Sequence, residues 1–184
     1  MSKRVNEKAA AGARQVSLAA GESQYESASA STWALRAMLG LAIAGLAIAS
    51  YLTITETGSL PLACPENSVV DCATVTHSVY SQFGGSGIPI SAGGILWFLV
   101  MALAVGAALF RPAMDSVGLA AILAGLAAIG MAYVLYLVYA EVAVLHRICA
   151  WCTAVHVAVL ALLLLALLHL QERLAAADEL DGEQ

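Results

Sequence analysis

Four long apolar runs constrain this chain more than any other feature. They extend from Trp33 to about Thr53, from about Pro89 to Phe110, from Val117 to about Ala140, and from about Ile148 to Leu170. Crossing the hydrocarbon core of a bilayer as a helix takes roughly 20 apolar residues, so each run is long enough to span it. Backbone amides in lipid find no water, and helices satisfy them within the segment. The runs are rich in Ala, Gly and Leu, which lets neighbouring helices approach closely. Composition agrees: 61% of the 184 residues are hydrophobic and 11% charged, against about half and a quarter in soluble domains. The sequence therefore predicts an all-α integral membrane protein, a four-helix bundle over residues 32–170 with spans at about 33–53, 89–110, 117–140 and 148–170. Residues 1–31 read as a disordered segment rich in Ala, Ser, Gln and Glu, and 171–184 as an acidic tail that frays. A cleaved signal peptide is the competing reading of the first run, but such segments hold about 7–15 apolar residues close to the start. The mildly acidic net charge of −5 argues against a nucleic-acid target.

The basic residues orient the bundle. Lys3, Arg4, Lys8, Arg14 and Arg36 precede or open the first span, Arg111 lies between spans two and three, and Arg173 follows span four. Arg147 alone falls on the opposite side. Lys and Arg collect on the cytoplasmic side of a plasma membrane, so both termini are expected inside. The loop 55–88 and the short link around His146 and Arg147 are then extracytoplasmic. All four cysteines lie in or beside those two segments: Cys64, Cys72, Cys149 and Cys152. An oxidising outer compartment permits disulfides.

Cys149-Ala150-Trp151-Cys152 is a C-x-x-C at the start of a predicted helix. Residues three apart share a helix face, and the positive end of the helix dipole favours thiolate. Positive charge from His146 and Arg147 acts in the same direction, although Arg147 serves equally well as a topological flank. His156 continues that face four residues below Cys152. An ionisable side chain inside a span is costly unless it faces the bundle, so His156 suits hydrogen bonding or proton transfer at an internal site, with packing as the alternative. The rival for the C-x-x-C is half of a zinc site, for which Cys64 and Cys72 would complete four ligands. Cys64 and Cys72 close a short loop, and their bond could be purely structural. A second pair at the same depth makes thiol–disulfide exchange the alternative, by thiolate attack through a mixed disulfide. Glu66 and Asp71 beside the loop cysteines disfavour thiolate there. Thr153 follows Cys152, so the C-x-x-C lacks the His of a haem attachment site, and neither an iron–sulfur pattern nor a G-x-G-x-x-G loop is present. A lipid-soluble quinone is the acceptor left by elimination, one that bacterial envelopes use to stay oxidising.

Several of these residues form a pattern: Cys64-x7-Cys72 after span one, Gly87-Ile88-Pro89 with Gly93-Gly94 opening span two, Tyr133 to Glu141 closing span three, and Ile148-Cys149-Ala150-Trp151-Cys152 opening span four. Over about residues 33–170 the chain resembles the vitamin K epoxide reductase family, specifically its bacterial members that reoxidise periplasmic disulfide-forming proteins. The resemblance implies a four-helix bundle around a quinone pocket, holding menaquinone or ubiquinone. It implies that Cys64 meets a reduced thioredoxin-like partner, that Cys72 relays through a transient disulfide with Cys149, and that Cys152 faces the quinone. Ser78 matches a loop Ser/Thr used near the relay. His156 stands where vertebrate members have a Tyr at the quinone head group, and Ser91 stands in the stretch where the family carries an Asn. Few residues follow span four, so the thioredoxin-like protein is expected to be separate.

Other residues carry two readings each. Tyr133, Tyr136 and Tyr139, spaced by three, suit interfacial anchors or the lining of the quinone pocket. Trp97 suits a lipid-facing or a pocket-lining position. Glu141 near the outer boundary suits an interfacial acid in preference to a proton relay, and His169 is expected to be interfacial. Two other functions remain open at this point: reduction of vitamin K epoxide or quinone for its own sake, and a non-enzymatic tetraspan protein with a structural loop disulfide.

Overall fold

A computed structural model of the chain describes residues 32–58, 60–64, 67–84 and 86–182. The expected N-terminal segment 1–31, with Lys3, Arg4, Lys8 and Arg14, lies outside the described residues, as does Glu66. The chain divides into two units, 1–34 and 35–184. Of the first, only residues 32–34 are described, and they are helical.

Among the described residues, four helices are long and apolar enough to cross a membrane. α1 covers Thr32–Glu56. A short α2, Cys72–Thr76, lies in the loop that follows. α3 is Ile90–Phe110 and α4 is Val117–Tyr139. α4 continues as one wide π turn, Ala140–Leu145. α5 runs from Ala150 to Gly182. Helix α5 thus continues well past Leu170, where the tail was expected to fray: Gln171, Glu172, Arg173 and the Leu and Ala that follow are good helix formers. β structure among the described residues is limited to two isolated bridges, Val70 with Ile148 and Gln82 with Pro89.

The core is built from large side chains set against small ones. Met38, Phe98, Met101, Leu123 and Leu162 are buried beside Ala42, Ala49, Ala127 and Ala166. Gly45 is required by this packing, because a Cβ there would lie 2.2 Å from the Phe98 ring. Outward positions such as Leu96, Leu103, Ile122, Leu135 and Leu164 are exposed. Apolar surface on the outside as well as the inside is the pattern of helices bathed in lipid.

The start of α4 and the second half of α5 are joined by a buried polar knot. Asp115, just before α4, accepts a hydrogen bond from His169 Nε2 at 3.0 Å and pairs with the Arg173 guanidinium. His169 is fully buried, contrary to its expected interfacial position, because Asp115 supplies it with a partner.

Candidate active site

The loop after α1 is fastened to the start of α5 by several short-range interactions. Ile148 N–H donates to Val69 O at 3.0 Å, and Asp71 N–H donates to Ile148 O at 3.1 Å, a parallel bridge of Val70 with Ile148 just before Cys72 and Cys149. Asn67 Oδ1 accepts from the N–H groups of Val69 and Val70 at 2.9 and 2.8 Å, which shapes the approach. The Arg147 guanidinium donates to Ser68 O. Farther up the loop, Trp151 Nε1–H donates to Ala63 O at 2.7 Å, and Ala63 N–H donates to Tyr51 Oη at 2.8 Å. The Tyr51 and Trp151 rings pack with centroids 5.1 Å apart. The residue before Cys64 is therefore tied to the residue before Cys152.

These ties bring the four cysteines to one place. Cys64 and Cys72 form a disulfide. Cys149 and Cys152 are thiols. Cys72 and Cys149 are completely buried and pack in one cluster with Val75, against which Cys64, Cys152, Leu145 and Trp151 rest. Cys72 opens α2 and Cys149 immediately precedes α5. Cys152 N–H points back at Cys149 Sγ, 3.3 Å away, an arrangement that stabilises a thiolate at that helix start. Asp71 caps α2, accepting from Thr74 N–H at 2.9 Å and from Thr74 Oγ1 at 2.6 Å. Those bonds, with the nearby Arg147 charge, hold its carboxyl below the usual carboxylate range. Among the described residues no group of three His, Cys, Asp or Glu side chains could hold a metal ion.

Beneath the cluster lies a cavity of about 570 Å3 within the bundle. Cys152 and His156 line it from α5, and Tyr133 and Tyr136 line it from α4. Ser78 and Ser91 reach it from the loop and from α3. Tyr139 is not part of this wall and is 63% exposed. Three residues correspond to 300° of helical turn, so a stripe spaced by three drifts, and Tyr139 has rotated away from the face that Tyr133 presents. The Trp97 indole forms part of the wall, with its N–H donating to Leu126 O at 3.2 Å. Gly130 makes room for it: a Cβ there would lie 2.5 Å from the ring. Gly93 does the same for Phe83, at 2.6 Å.

Glu56, in this wall, was not singled out from sequence. Ser91 Oγ donates to Glu56 Oε2 at 2.6 Å and accepts from Thr53 Oγ1 at 2.9 Å, forming a hydrogen-bonded chain across α1 and α3. Glu141, expected at the interface, is buried and lines the cavity. The π turn turns it inward, and its Oε2 accepts from Cys149 N–H at 3.4 Å. The signal available in the sequence was a lone acid ending an otherwise uncharged span.

The family model for the vitamin K epoxide reductase family matches residues 36–167, which covers at least part of each long helix and the loop that carries the disulfide. The chain belongs to the vitamin K epoxide reductase family. Comparison with curated proteins finds no match. As a member of that family it is a multi-pass membrane oxidoreductase. Proteins of this family use quinones, and the cavity has the character of a site for a flat ring. Its walls are mainly apolar and aromatic, as a flat ring requires, while Ser91, His156 and Cys152 supply polar groups at its edge. Among the described residues no polar group hydrogen-bonds the His156 ring, which leaves its nitrogens available to a guest.

Proposed function

We propose that this protein oxidises the thiols of a separate thioredoxin-like protein outside the plasma membrane and passes the electrons to menaquinone or ubiquinone. The observation that carries the reading is the convergence of four cysteines, Cys72 and Cys149 buried and Cys64 and Cys152 partly so, at the edge of an apolar cavity. Support for the sidedness comes from Arg111 and Arg173 at the opposite end of the helices from the cysteines, since basic residues mark the cytoplasmic face.

In this reading Cys64, the more peripheral sulfur of the loop, receives the attack of a partner thiolate. The resulting mixed disulfide resolves, leaving the partner oxidised and Cys64 and Cys72 as thiols. Cys72 then attacks Cys149 of a Cys149–Cys152 disulfide, which frees Cys152 beside the cavity. Attack of Cys64 on Cys72 restores the loop disulfide and releases Cys149. Re-formation of the Cys149–Cys152 bond yields two electrons and two protons. A bound quinone supplies the sink for both. His156, Ser91 and Ser78 would hold it from the polar edge, with Tyr133 and Tyr136 against the α4 side. The apolar wall excludes water from the reduced pair.

The experiment is quinone reduction by purified protein given a reduced thioredoxin-like donor and followed optically. Turnover that disappears on Cys152→Ser supports the reading. Equal turnover by Cys152→Ser removes its basis.

A further inference from the structure

A carboxylate inside an apolar span is expensive to keep, yet Glu141 is only 5% exposed. Among the described residues no Lys or Arg pairs with it, so it is not half of a structural ion pair. Its environment is the sulfur pair. Cys149 N–H donates to its Oε2 at 3.4 Å, and the Cys152 thiol is within interaction range of the same carboxylate. Its own carbonyl accepts from Arg147 N–H at 3.1 Å, which anchors the backbone where the chain turns toward Cys149. The carboxylate reaches this position through the π turn Ala140–Leu145. Single π turns inside helices occur often at functional sites.

Resting on the thiol-to-quinone reading above, we propose that Glu141 is a catalytic residue that carries the proton of the Cys149–Cys152 pair. Two thiols that close to a disulfide release two electrons and two protons. A free proton has no stable place in an apolar cavity. Ionised Glu141 takes the proton from Cys152 Sγ as the lone pair of that sulfur forms the bond to Cys149 Sγ. The two electrons leave to the quinone. The Glu141 proton follows them, and the Cys149 proton makes up the second. The carboxylate ends the cycle as it began, so nothing accumulates. Other titratable groups around this cavity are Cys149, Cys152 and His156 from the α5 side, Glu56 from α1, Tyr80 from the loop, and Tyr133 and Tyr136 from α4. Cys72 of α2 is committed to its disulfide. Glu141 is the carboxylate in contact with Cys149, whereas His156 lies a turn beyond Cys152.

The test is single-turnover oxidation of the pre-reduced protein by a short-chain quinone across a pH series, on wild type, Glu141→Gln and Glu141→Asp. Gln keeps the size and an oxygen acceptor for Cys149 N–H but cannot carry a proton. Loss of a general base typically costs roughly 100-fold or more. The inference expects such a fall in Glu141→Gln, loss of the rising limb of the wild-type pH profile, and recovery of that limb in Glu141→Asp. A Glu141→Gln rate within twofold of wild type overturns it. So does a slower rate with the wild-type pH profile intact, which is the mark of a residue that only positions Cys149. Should the amide variant not fold, Glu141→Asp decides alone: a limb displaced along the pH axis supports the role, and an unmoved limb refutes it. Failure of the wild-type protein itself to reduce the quinone would instead sink the thiol-to-quinone reading.

Discussion

Replacing Gly130 by Ala tests how the cavity wall is built. The added Cβ would lie 2.5 Å from Trp97 Cζ2 and 2.8 Å from Cε2, where ordinary contact begins near 3.4 Å, so the indole must withdraw by about an ångström. Overpacking of this kind costs about 1–3 kcal/mol. Withdrawal also stretches the Trp97 N–H bond to Leu126 O beyond its present 3.2 Å, a loss of about 1 kcal/mol. Ala in place of Gly returns up to about 1 kcal/mol of helix preference. The net expectation is a destabilisation of about 1–3 kcal/mol and a raised KM for quinone, because the displaced ring belongs to the cavity wall. Gly125 on the same helix is the control: nothing lies within 4 Å of a Cβ there, so Gly125→Ala should be neutral or slightly stabilising. The assay is unfolding in detergent together with quinone titration of the rate. In a Trp97→Ala background the cost of Gly130→Ala should vanish, since contacting sites are not additive. Equal stability and equal KM for the Gly130 and Gly125 variants would refute the packing argument.

Three further outcomes follow from the same geometry. Asp115→Ala removes the buried carboxylate that pairs with His169 and Arg173 and should cost roughly 3 kcal/mol, read as a lower unfolding midpoint, with Asp115→Asn milder because it keeps an acceptor. Trp151→Phe keeps the ring against Tyr51 but loses the bond to Ala63 O, worth about 1 kcal/mol; amide exchange at Ala63 should quicken about fivefold while the helices stay protected. Asp71 has a folded value below its unfolded one, so its capping contribution is complete above about pH 4 and is lost as pH falls through the folded value. The Thr74 amide resonance should move in that acid window, and Asp71→Asn should abolish the movement.

The long helices were legible because lipid imposes one rule on every residue of a span, and that rule is visible as an uninterrupted apolar run. The cysteines were legible because all four fall at one end of those runs. What escaped depended on register or on distant pairing. Tyr139 continued a spacing-by-three stripe that a 3.6-residue helix carries off the face of Tyr133. Glu141 was displaced inward by a π turn, which no periodicity in the sequence announces. His169 was read as interfacial because its partner Asp115 lies 54 positions away. Ser91 was picked out, whereas its bond to Glu56 spans 35 positions and became visible only once α1 and α3 were side by side.

The proposed relay stands on bond exchange between Cys72 and Cys149. Cys64→Ala removes the sulfur that would return Cys72 to the loop disulfide, so the intermediate should persist. Alkylation of that variant in membranes, followed by peptide mass spectrometry, is expected to recover Cys72 joined to Cys149, with Cys152 carrying the label. Recovery of Cys149 joined to Cys152 alone, with Cys72 labelled, would contradict the exchange.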